Sequence, residues 1–507
     1  MFAQPIHPPI FKISSLPPTT YHSTPLQPKI HLLPTNQAMH SQVELLLNYA
    51  ATATPFVSST GQAFLSLPLD AFSQQVCSVY SPRIRDWLIA AFYRDQHQPP
   101  SPYALRQTIL TLAARANSSG ASLSVERRVA ARGNPHHPDA ILLDLANPHG
   151  EIVEITSDGW HITTDPTAPF LHSRGNLELP SPHPQAPSPQ PRLAALQQLL
   201  NLSTPDLHRI TVWLLAALHP QGPHPILVLD GPPSSGKSTA ARMLRALIDP
   251  SAAPLYSLPF SEPDLLALAT LNWILAFDHT GQVRPIISAT LCRLATGAAI
   301  RQREKGDERE PTIQEIHRPI LITAAPGWNP DESLSERTLT IRLAPLTPTT
   351  RRTEAELWQE FETLHQTLLA ALCDATSTAL RAKREQPPAP NPQLPTPRLP
   401  DAVQWAITAL PESKQAILDA MNQAPTTPIL ESIATLLKTS PQWAGTATDL
   451  LHEIAVTTVT APALSHHLRC HKNHLASQNI ALNFKRKHGG SRVITLATTA
   501  PHAYPVQ

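Results

Sequence analysis

The chain has 507 residues, a length that suits about three domains of ordinary size. Its formal net charge of +1 excludes a globally basic nucleic-acid coat and an acidic tail protein, so any nucleic-acid contact must come from local basic patches. The four cysteines are far apart, and no apolar run approaches the ~20 residues of a membrane span. We therefore expect a soluble, cytoplasmic protein without a disulfide framework or a membrane segment.

The N-terminal part predicts a disordered tail and then a small α/β domain. Residues 1–40 are rich in Pro, Ser, Thr and His without sustained periodicity, which is typical of disorder. Apolar periodicity then predicts two helices (83–96 and 101–116), a hairpin turning at Gly61 and two strands (140–146 and 151–163). These elements define a predicted α/β domain over 41–175, and the proline-rich stretch 176–191 is a predicted linker.

A phosphate-binding motif occupies the centre of the chain. The apolar run PILVLD predicts a buried strand, GPPSSGKST follows it, and the next residues predict a helix. This is G-x-x-x-x-G-K-[ST] between a strand and a helix, in which backbone N–H groups cradle phosphates. Lys237 would supply a positive charge, and the Ser238 hydroxyl can ligate Mg²⁺. The predicted ATP-binding residues are Gly231, Pro232, Pro233, Ser234, Ser235, Gly236, Lys237, Ser238 and Thr239.

Three later residues complete the predicted catalytic set with Lys237. Asp278 ends the apolar run NWILAFD, and its carboxylate can hold Mg²⁺ together with Ser238. Thr323, near the end of a third apolar run, is a candidate contact for the γ-phosphate or the attacking water, or else an ordinary strand-end threonine. Arg337 precedes a fourth strand. It is either an arginine that enters a neighbouring subunit's site or a surface salt-bridge residue.

The order and spacing of these motifs resemble the superfamily 3 helicases, in particular the ATPase half of phage and mobile-element primase–helicases. GPPSSGKS fits that family's loop, and LCRLATGAAIRQREKG followed by HRPILITA is similar to a further family motif. The resemblance implies an ATPase ring on DNA. It also implies that Thr296 and three arginines lie on a hairpin facing a DNA channel: Arg293, Arg301 and Arg303. The alternative for these arginines is a solvated charged loop.

Two residues depart from the family pattern. Thr323 stands where the family has an asparagine that senses the nucleotide, and His279 follows Asp278 where the superfamily usually has an acidic residue. Many nucleotide hydrolases use that second carboxylate as a general base. We therefore expect that another group activates the water or that turnover is slow, with nucleotide binding retained.

The C-terminal end predicts two helices and a hairpin, the outline of a winged helix-turn-helix that also ends some phage primase–helicases. Basic residues flank its Gly489–Gly490 turn, where a wing would contact DNA phosphates. These predicted DNA contacts are Lys485, Arg486, Lys487 and Arg492. The alternative is a protein-interaction domain with a solvated basic turn.

Together these features predict an α/β protein with a P-loop NTPase (AAA+-like) core built on a parallel sheet. That core and its following helix would span 192–385. A proline-rich linker would occupy 386–400, and a C-terminal helical, winged-helix-like domain would occupy 401–507. The predicted function is a Mg-ATP-dependent DNA helicase or translocase in the replication of a phage or mobile genetic element. ATP and Mg²⁺ are the expected cofactors. The expected partners are single-stranded or forked DNA, further copies of the chain in a ring, and a primase or other replication proteins.

Two other functions remain open at this stage. One is a slow, ATP-switched DNA-binding regulator or helicase loader without unwinding activity. The other is a primase with its polymerising centre in 41–175, for which Asp139, Asp144 and Glu154 are the candidate metal carboxylates.

Overall fold

In the computed structural model of the chain, the described residues are 36–68, 74–164, 170–173, 175–183, 188–302, 312–325, 328, 330–347, 351–385, 399–422, 428–454, 461–470, 475–476, 479–486 and 492–498. Most of the predicted tail and of the second predicted linker lies outside the described residues. The predicted tail, 1–40, is too long at its C-terminal end, since a helix begins at Asn36.

The N-terminal part is a four-stranded sheet with three helices. Its elements are α1 (Asn36–Tyr49), β1 (Thr54–Ser58), β2 (Ala63–Pro68), β3 (Gln74–Ser78), α2 (Pro82–Gln96), α3 (Pro102–Ser118) and β4 (Ser122–Leu123). The sheet order is β3-β2-β1-β4, and Gly61 with φ +82° forms the β1–β2 turn as predicted. The hydroxyls of Ser81 and Ser101 accept the N–H groups of Ile84 and Ala104, and a proline follows each serine, which fixes where α2 and α3 begin.

The next four strands form an antiparallel sheet that packs on the central core. They are β5 (Val129–Asn134), β6 (His137–Asp144), β7 (Ile152–Thr156) and β8 (Gly159–Thr163), so the predicted strand 151–163 is in fact two. Ile141, Leu143 and Val153 belong to the same buried cluster as Trp213. The predicted 41–175 domain is therefore divided, because its first half has its own hydrophobic core, whereas one face of the second half packs into the central core.

The centre of the chain is an α/β unit around a parallel sheet. Its elements are α4 (Pro189–Leu193), α5 (Ala195–Leu199), α6 (Thr204–Ala217), β9 (Ile226–Asp230), α7 (Lys237–Ala246), α8 (Glu262–Leu271), β10 (Leu275–Thr280), α9 (Pro285–Thr296), β11 (Ala298–Gln302), β12 (Thr312–Ile316), β13 (Ile320–Ala324), α10 (Glu332–Ser335), β14 (Thr338–Arg342) and α11 (Glu354–Glu385).

The parallel sheet has the order β10-β13-β9-β14, so β13 separates the strand before the glycine loop from the strand that carries Asp278. Both faces are covered, which explains the near-continuous apolar runs of its strands. Leu227 and Leu229 face a cluster shared with α6, α7 and α11, whereas Ile226 and Val228 face one shared with α8 and α9.

The end of this sheet where its strands begin is closed by buried polar side chains. Arg128 pairs with Asp249 at 3.1 Å, and the other Asp249 oxygen accepts the N–H of Ile274, just before β10. His224, before β9, is 2% exposed, and burial lowers its pKa well below the usual value. Arg318, before β13, donates to the Ala269 carbonyl, and burial lowers its pKa to about 10. We call this the amino end of the sheet.

A carboxylate on α11 also joins the β5–β8 sheet to the centre. Asp374 accepts the indole N–H of Trp160 on β8 at 2.7 Å and a hydrogen bond from Arg192 on α4. Arg192 is 8% exposed. Three segments far apart in sequence thus meet at one acid.

The C-terminal part begins with helices that belong to the central core. Its elements are α12 (Pro400–Ala409), α13 (Lys414–Asn422), α14 (Pro428–Thr439), β15 (Gln442–Gly445), α15 (Ala447–Glu453), α16 (Ala461–Cys470), β16 (Ile480–Arg486) and β17 (Arg492–Thr498). Trp405 on α12 donates to the Leu215 carbonyl of α6, so the predicted boundary at residue 401 does not separate two cores. From Pro428 onward the elements form a separate core with the antiparallel sheet β15-β17-β16. Within the described ranges, none of the helices has both the length and the apolar character of a membrane span.

Candidate functional site

The glycine motif forms the connection between β9 and α7. Gly231 has φ +145° and Gly236 φ +85°, conformations that side chains other than glycine rarely adopt. A Cβ added to Gly231 would lie 2.6 Å from the Leu343 carbonyl oxygen, so the loop is also packed too tightly for a side chain there. Both glycines of the motif are thus required by backbone shape.

Lys237 is the first residue of α7 and folds back across the loop. Its ammonium donates to the carbonyls of Gly231 at 2.7 Å and Pro232 at 2.8 Å. The N-terminal amides of α7 and the partial positive charge of its dipole lie in the same place. Ser235 beneath the loop is 3% exposed, and its hydroxyl has no hydrogen-bond partner among the described residues. The arrangement favours an anion over the loop.

Asp278 is the centre of a hydroxyl–carboxylate cluster. Ser238 Oγ donates to Asp278 Oδ1 at 2.9 Å, and Thr323 Oγ1 donates to the same oxygen at 2.5 Å. Thr323 reaches Asp278 because β13 lies beside β10, and it also accepts the His279 N–H at 2.8 Å. The Ser238 hydroxyl and the Asp278 carboxylate are oxygen ligands of the kind that Mg²⁺ prefers, so these residues fit the predicted ion. The structure thus brings together Lys237, Ser238, Asp278 and Thr323.

Arg337 lies away from this cluster in the same chain. It precedes Thr338, which pairs with Ile226 at the start of β9, whereas the loop follows Asp230 at its end. The four-residue separation corresponds to about 13 Å along the strand. Its guanidinium donates to the Ser333 carbonyl. A role for Arg337 in a neighbouring subunit remains a prediction.

The arginine at the loop end of β14 is Arg342, which the sequence analysis did not single out. It pairs in register with Asp230 and is exposed. Arg342 lies five residues after Arg337, so the sequence indicates that the two arginines lie near opposite ends of one predicted strand. Only the strand register shows which of these ends lies beside the glycine loop. Arg342 is therefore an additional candidate for contact with an anion at the loop.

Two of the residues predicted to lie on a hairpin facing DNA are instead helical. Arg293 and Thr296 lie on α9, where the guanidinium of Arg293 pairs with Glu262 and also donates to Thr290. The hairpin prediction was wrong for these two because α9 continues to Thr296. An antiparallel pair does follow, formed by β11 and β12, and Arg301 lies on β11. Arg303 lies outside the described residues.

The C-terminal basic residues lie on neighbouring strands. Lys485 on β16 is exposed, and Arg486 pairs in register with Arg492 on β17. Lys487 lies outside the described residues. The sheet therefore places Lys485, Arg486 and Arg492 near one end of the β16–β17 hairpin, and contact with DNA remains a prediction.

The carboxylates of the primase hypothesis do not converge. Asp144 and Glu154 lie on one face of the β6–β7 pair, whereas Asp139 lies at the bulge of β6, with its carboxylate against Gly133 of β5. Asp144 is hydrogen-bonded to His172 at 2.7 Å, and Glu154 forms a salt bridge with Arg132 at 3.1 Å. Over the described residues, no group of three or more His, Cys, Asp or Glu side chains is placed to hold a metal. The geometry argues against a two-metal polymerising centre on this sheet.

A family model described as actinomycete integrative conjugative element replication protein matches residues 193–391. This segment contains the glycine loop, Asp278 and Thr323, and the match supports a role in the replication of a mobile element. No curated protein matches the chain at the level required of a relative.

Among solved structures, two apo structures of the NrS-1 C-terminal region are 10% identical to the chain, cover 90% of it and 98% of their own length, and give TM-scores of 0.39 and 0.37. A third apo structure, which like the second comprises residues 305–718, is also 10% identical to the chain, covers 90% of it and 99% of its own length, and gives 0.36. Similarity at this level does not bear on the function.

Proposed function

We propose that the chain is a P-loop ATPase that acts on DNA during the replication of a mobile genetic element. The observation that carries the proposal is the 2.9 Å contact between Ser238 Oγ and Asp278 Oδ1, next to the glycine loop and Lys237. A hydroxyl that follows the loop lysine and a carboxylate at the end of a neighbouring strand are the pair that holds Mg²⁺ in such ATPases. The family match over residues 193–391 supports a role in the replication of a mobile element.

The residues of the loop would bind and orient the triphosphate. The N–H groups between Gly231 and Gly236 and the ammonium of Lys237 would hold the oxygens of the triphosphate. Lys237 would then donate to phosphate oxygens in place of the carbonyls of Gly231 and Pro232. Mg²⁺, held by Ser238 and Asp278, would neutralise charge on the β- and γ-phosphates. Catalysis would consist of positioning and electrostatic stabilisation while water attacks the γ-phosphorus.

The finer proposal is a DNA helicase or translocase. The C-terminal sheet, preceded by α15 and α16, offers Lys485, Arg486 and Arg492 as a winged-helix-like contact to DNA phosphates. Arg337 would complete the site of the next subunit in a ring, because it is too far from the loop of its own chain. Single-stranded or forked DNA and other replication proteins would be the partners.

A second candidate function is an ATP-switched DNA-binding regulator or helicase loader with slow hydrolysis. Two observations favour it: Asp278 is followed by the exposed His279 rather than by a carboxylate, and the Thr323 hydroxyl is already bonded to Asp278. The regulator would show nucleotide-dependent DNA affinity without strand separation.

ATP hydrolysis and unwinding of a forked duplex, each with and without single-stranded DNA, separate the two candidates. We expect Lys237→Ala to reduce hydrolysis by about 100-fold or more, because it removes the positive charge that stabilises the transferring phosphate. The matched control is Lys414→Ala, an exposed lysine on α13, which should leave the rate unchanged. ATP-dependent unwinding supports the helicase, whereas nucleotide-tuned DNA affinity alone supports the regulator. A Lys237→Ala protein with the wild-type rate would refute the ATPase site.

A further inference from the structure

We propose that Thr323 is a positioning residue that holds Asp278 in the orientation needed for Mg²⁺, rather than a contact to the γ-phosphate or the attacking water. The inference rests on the proposed function, because it assigns a role within the same site. Its basis is the set of hydrogen bonds at the ends of β10 and β13.

The proton of the Thr323 hydroxyl is committed to Asp278. Thr323 is 1% exposed, its Oγ1 donates to Asp278 Oδ1 and the same oxygen accepts the N–H of His279. A threonine hydroxyl has a single proton to donate. With that proton on Asp278, none is left for a phosphate oxygen or a water, so Thr323 acts through the carboxylate.

The same bonds decide which carboxylate oxygen is available to the metal. Ser238 and Thr323 both donate to Oδ1 of Asp278. Oδ2 accepts no hydrogen bond from any residue that the structure describes at this site, so it is free to accept from the water shell of Mg²⁺. Two donors on one oxygen also fix the rotation of the carboxylate about its Cβ–Cγ bond. Loss of one donor would let the group turn.

Thr323 also stabilises the turn that follows Asp278. His279 has φ +50°, a left-handed conformation that is unfavourable for residues other than glycine. The hydrogen bond from its N–H to Thr323 Oγ1 compensates for this strain. Removing the hydroxyl would therefore release the carboxylate and the turn together, while the glycine loop on β9 keeps its own contacts.

The test is the affinity of the full-length protein for Mn²⁺, used in place of Mg²⁺ and followed by electron paramagnetic resonance with a non-hydrolysable ATP analogue bound. Thr323→Val keeps the shape of the side chain and should weaken Mn²⁺ binding by about tenfold or more, as loss of a group that orients a metal ligand typically does. Thr323→Ser keeps the hydroxyl and should bind within about twofold of wild type. Affinity for the analogue without metal should be unchanged in both.

The matched control is Thr376→Val, since Thr376 on α11 is fully buried and its hydroxyl has no hydrogen-bond partner among the described residues. It should bind Mn²⁺ like wild type. If Thr323→Val does not fold, Thr323→Ala tests the same hydroxyl, with the same loss expected.

Wild-type Mn²⁺ affinity in the Thr323→Val or Thr323→Ala protein would overturn the inference, and slower hydrolysis alongside it would place Thr323 on the reacting atoms instead. A wild-type protein that binds neither the analogue nor Mn²⁺ would overturn the proposed function itself.

Discussion

The two ends of the parallel sheet differ in the burial and the hydrogen-bond partners of their polar side chains. At the end where the strands finish, Lys237, Ser238 and Asp278 are half-buried and their mutual hydrogen bonds can be exchanged for those of a ligand. At the amino end, His224 and Arg318 are buried against backbone carbonyls. The same strands connect both ends, so polar groups free to exchange partners and polar groups fixed by burial lie only a few residues apart on one sheet.

The largest expected effect is on stability at the amino end. Arg128→Met would leave Asp249 as an uncompensated buried charge, and we expect the free energy of unfolding to fall by about 3–5 kcal/mol. Denaturant unfolding measures it. The control is Arg85→Met, whose pair with Asp86 is more than half exposed and should contribute less than about 1 kcal/mol. Equal effects in the two variants would break the comparison.

At the other end we expect a large effect on activity with little effect on stability. Asp278→Asn would weaken the proposed Mg²⁺ site, so ATP hydrolysis should fall by about 100-fold, while the free energy of unfolding changes by less than about 1 kcal/mol. Steady-state hydrolysis and denaturant unfolding are both needed. Asp158→Asn, at an exposed turn, is the control for loss of a carboxylate. A destabilisation as large as that of Arg128→Met would contradict the division of roles.

Acid should destabilise the protein through its buried histidines. Burial lowers the pKa of His219, which follows α6, and that of His365 on α11 to about 4, and it lowers the pKa of His224 well below the value of about 6.5 in the unfolded chain. The unfolded state therefore binds more protons below pH 6.5, and stability is lost as the pH falls from 6.5 toward 4, by about 1.4 kcal/mol per pH unit for each histidine. Unfolding at a series of pH values measures the slope, and His219→Gln should make it shallower. An unchanged slope in that variant would assign the acid sensitivity elsewhere.

The smallest effect is expected for Arg337→Ala in nucleotide binding. Arg337 belongs to the amino end, so the affinity of one chain for an ATP analogue should change by less than about twofold, in contrast to Lys237→Ala. Titration with a fluorescent analogue at concentrations where the chain is monomeric provides the measurement. A clear loss of affinity would show that Arg337 reaches the loop of its own chain.

The site could be predicted from sequence where its determinants are contiguous. Strand, glycine loop and helix follow one another from Ile226 to Ala246, and each is specified by its own residues. The bond between Thr323 and Asp278 could not be derived, because it depends on β13 lying between β9 and β10, and strand order is not a local property. Arg293 was misplaced for a related reason: a helix end and a hairpin start are hard to separate in a short polar stretch.

The carboxylate of Asp374 bears on how this protein can be divided. Its partners Trp160 and Arg192 both precede the segment 193–391 that resembles replication proteins, as does Arg128, the partner of Asp249. A fragment trimmed to that segment would keep both acids and lose the hydrogen-bonded side chains of Arg128, Trp160 and Arg192. We therefore expect a stable fragment that contains residues 193–391 to start upstream of Arg128.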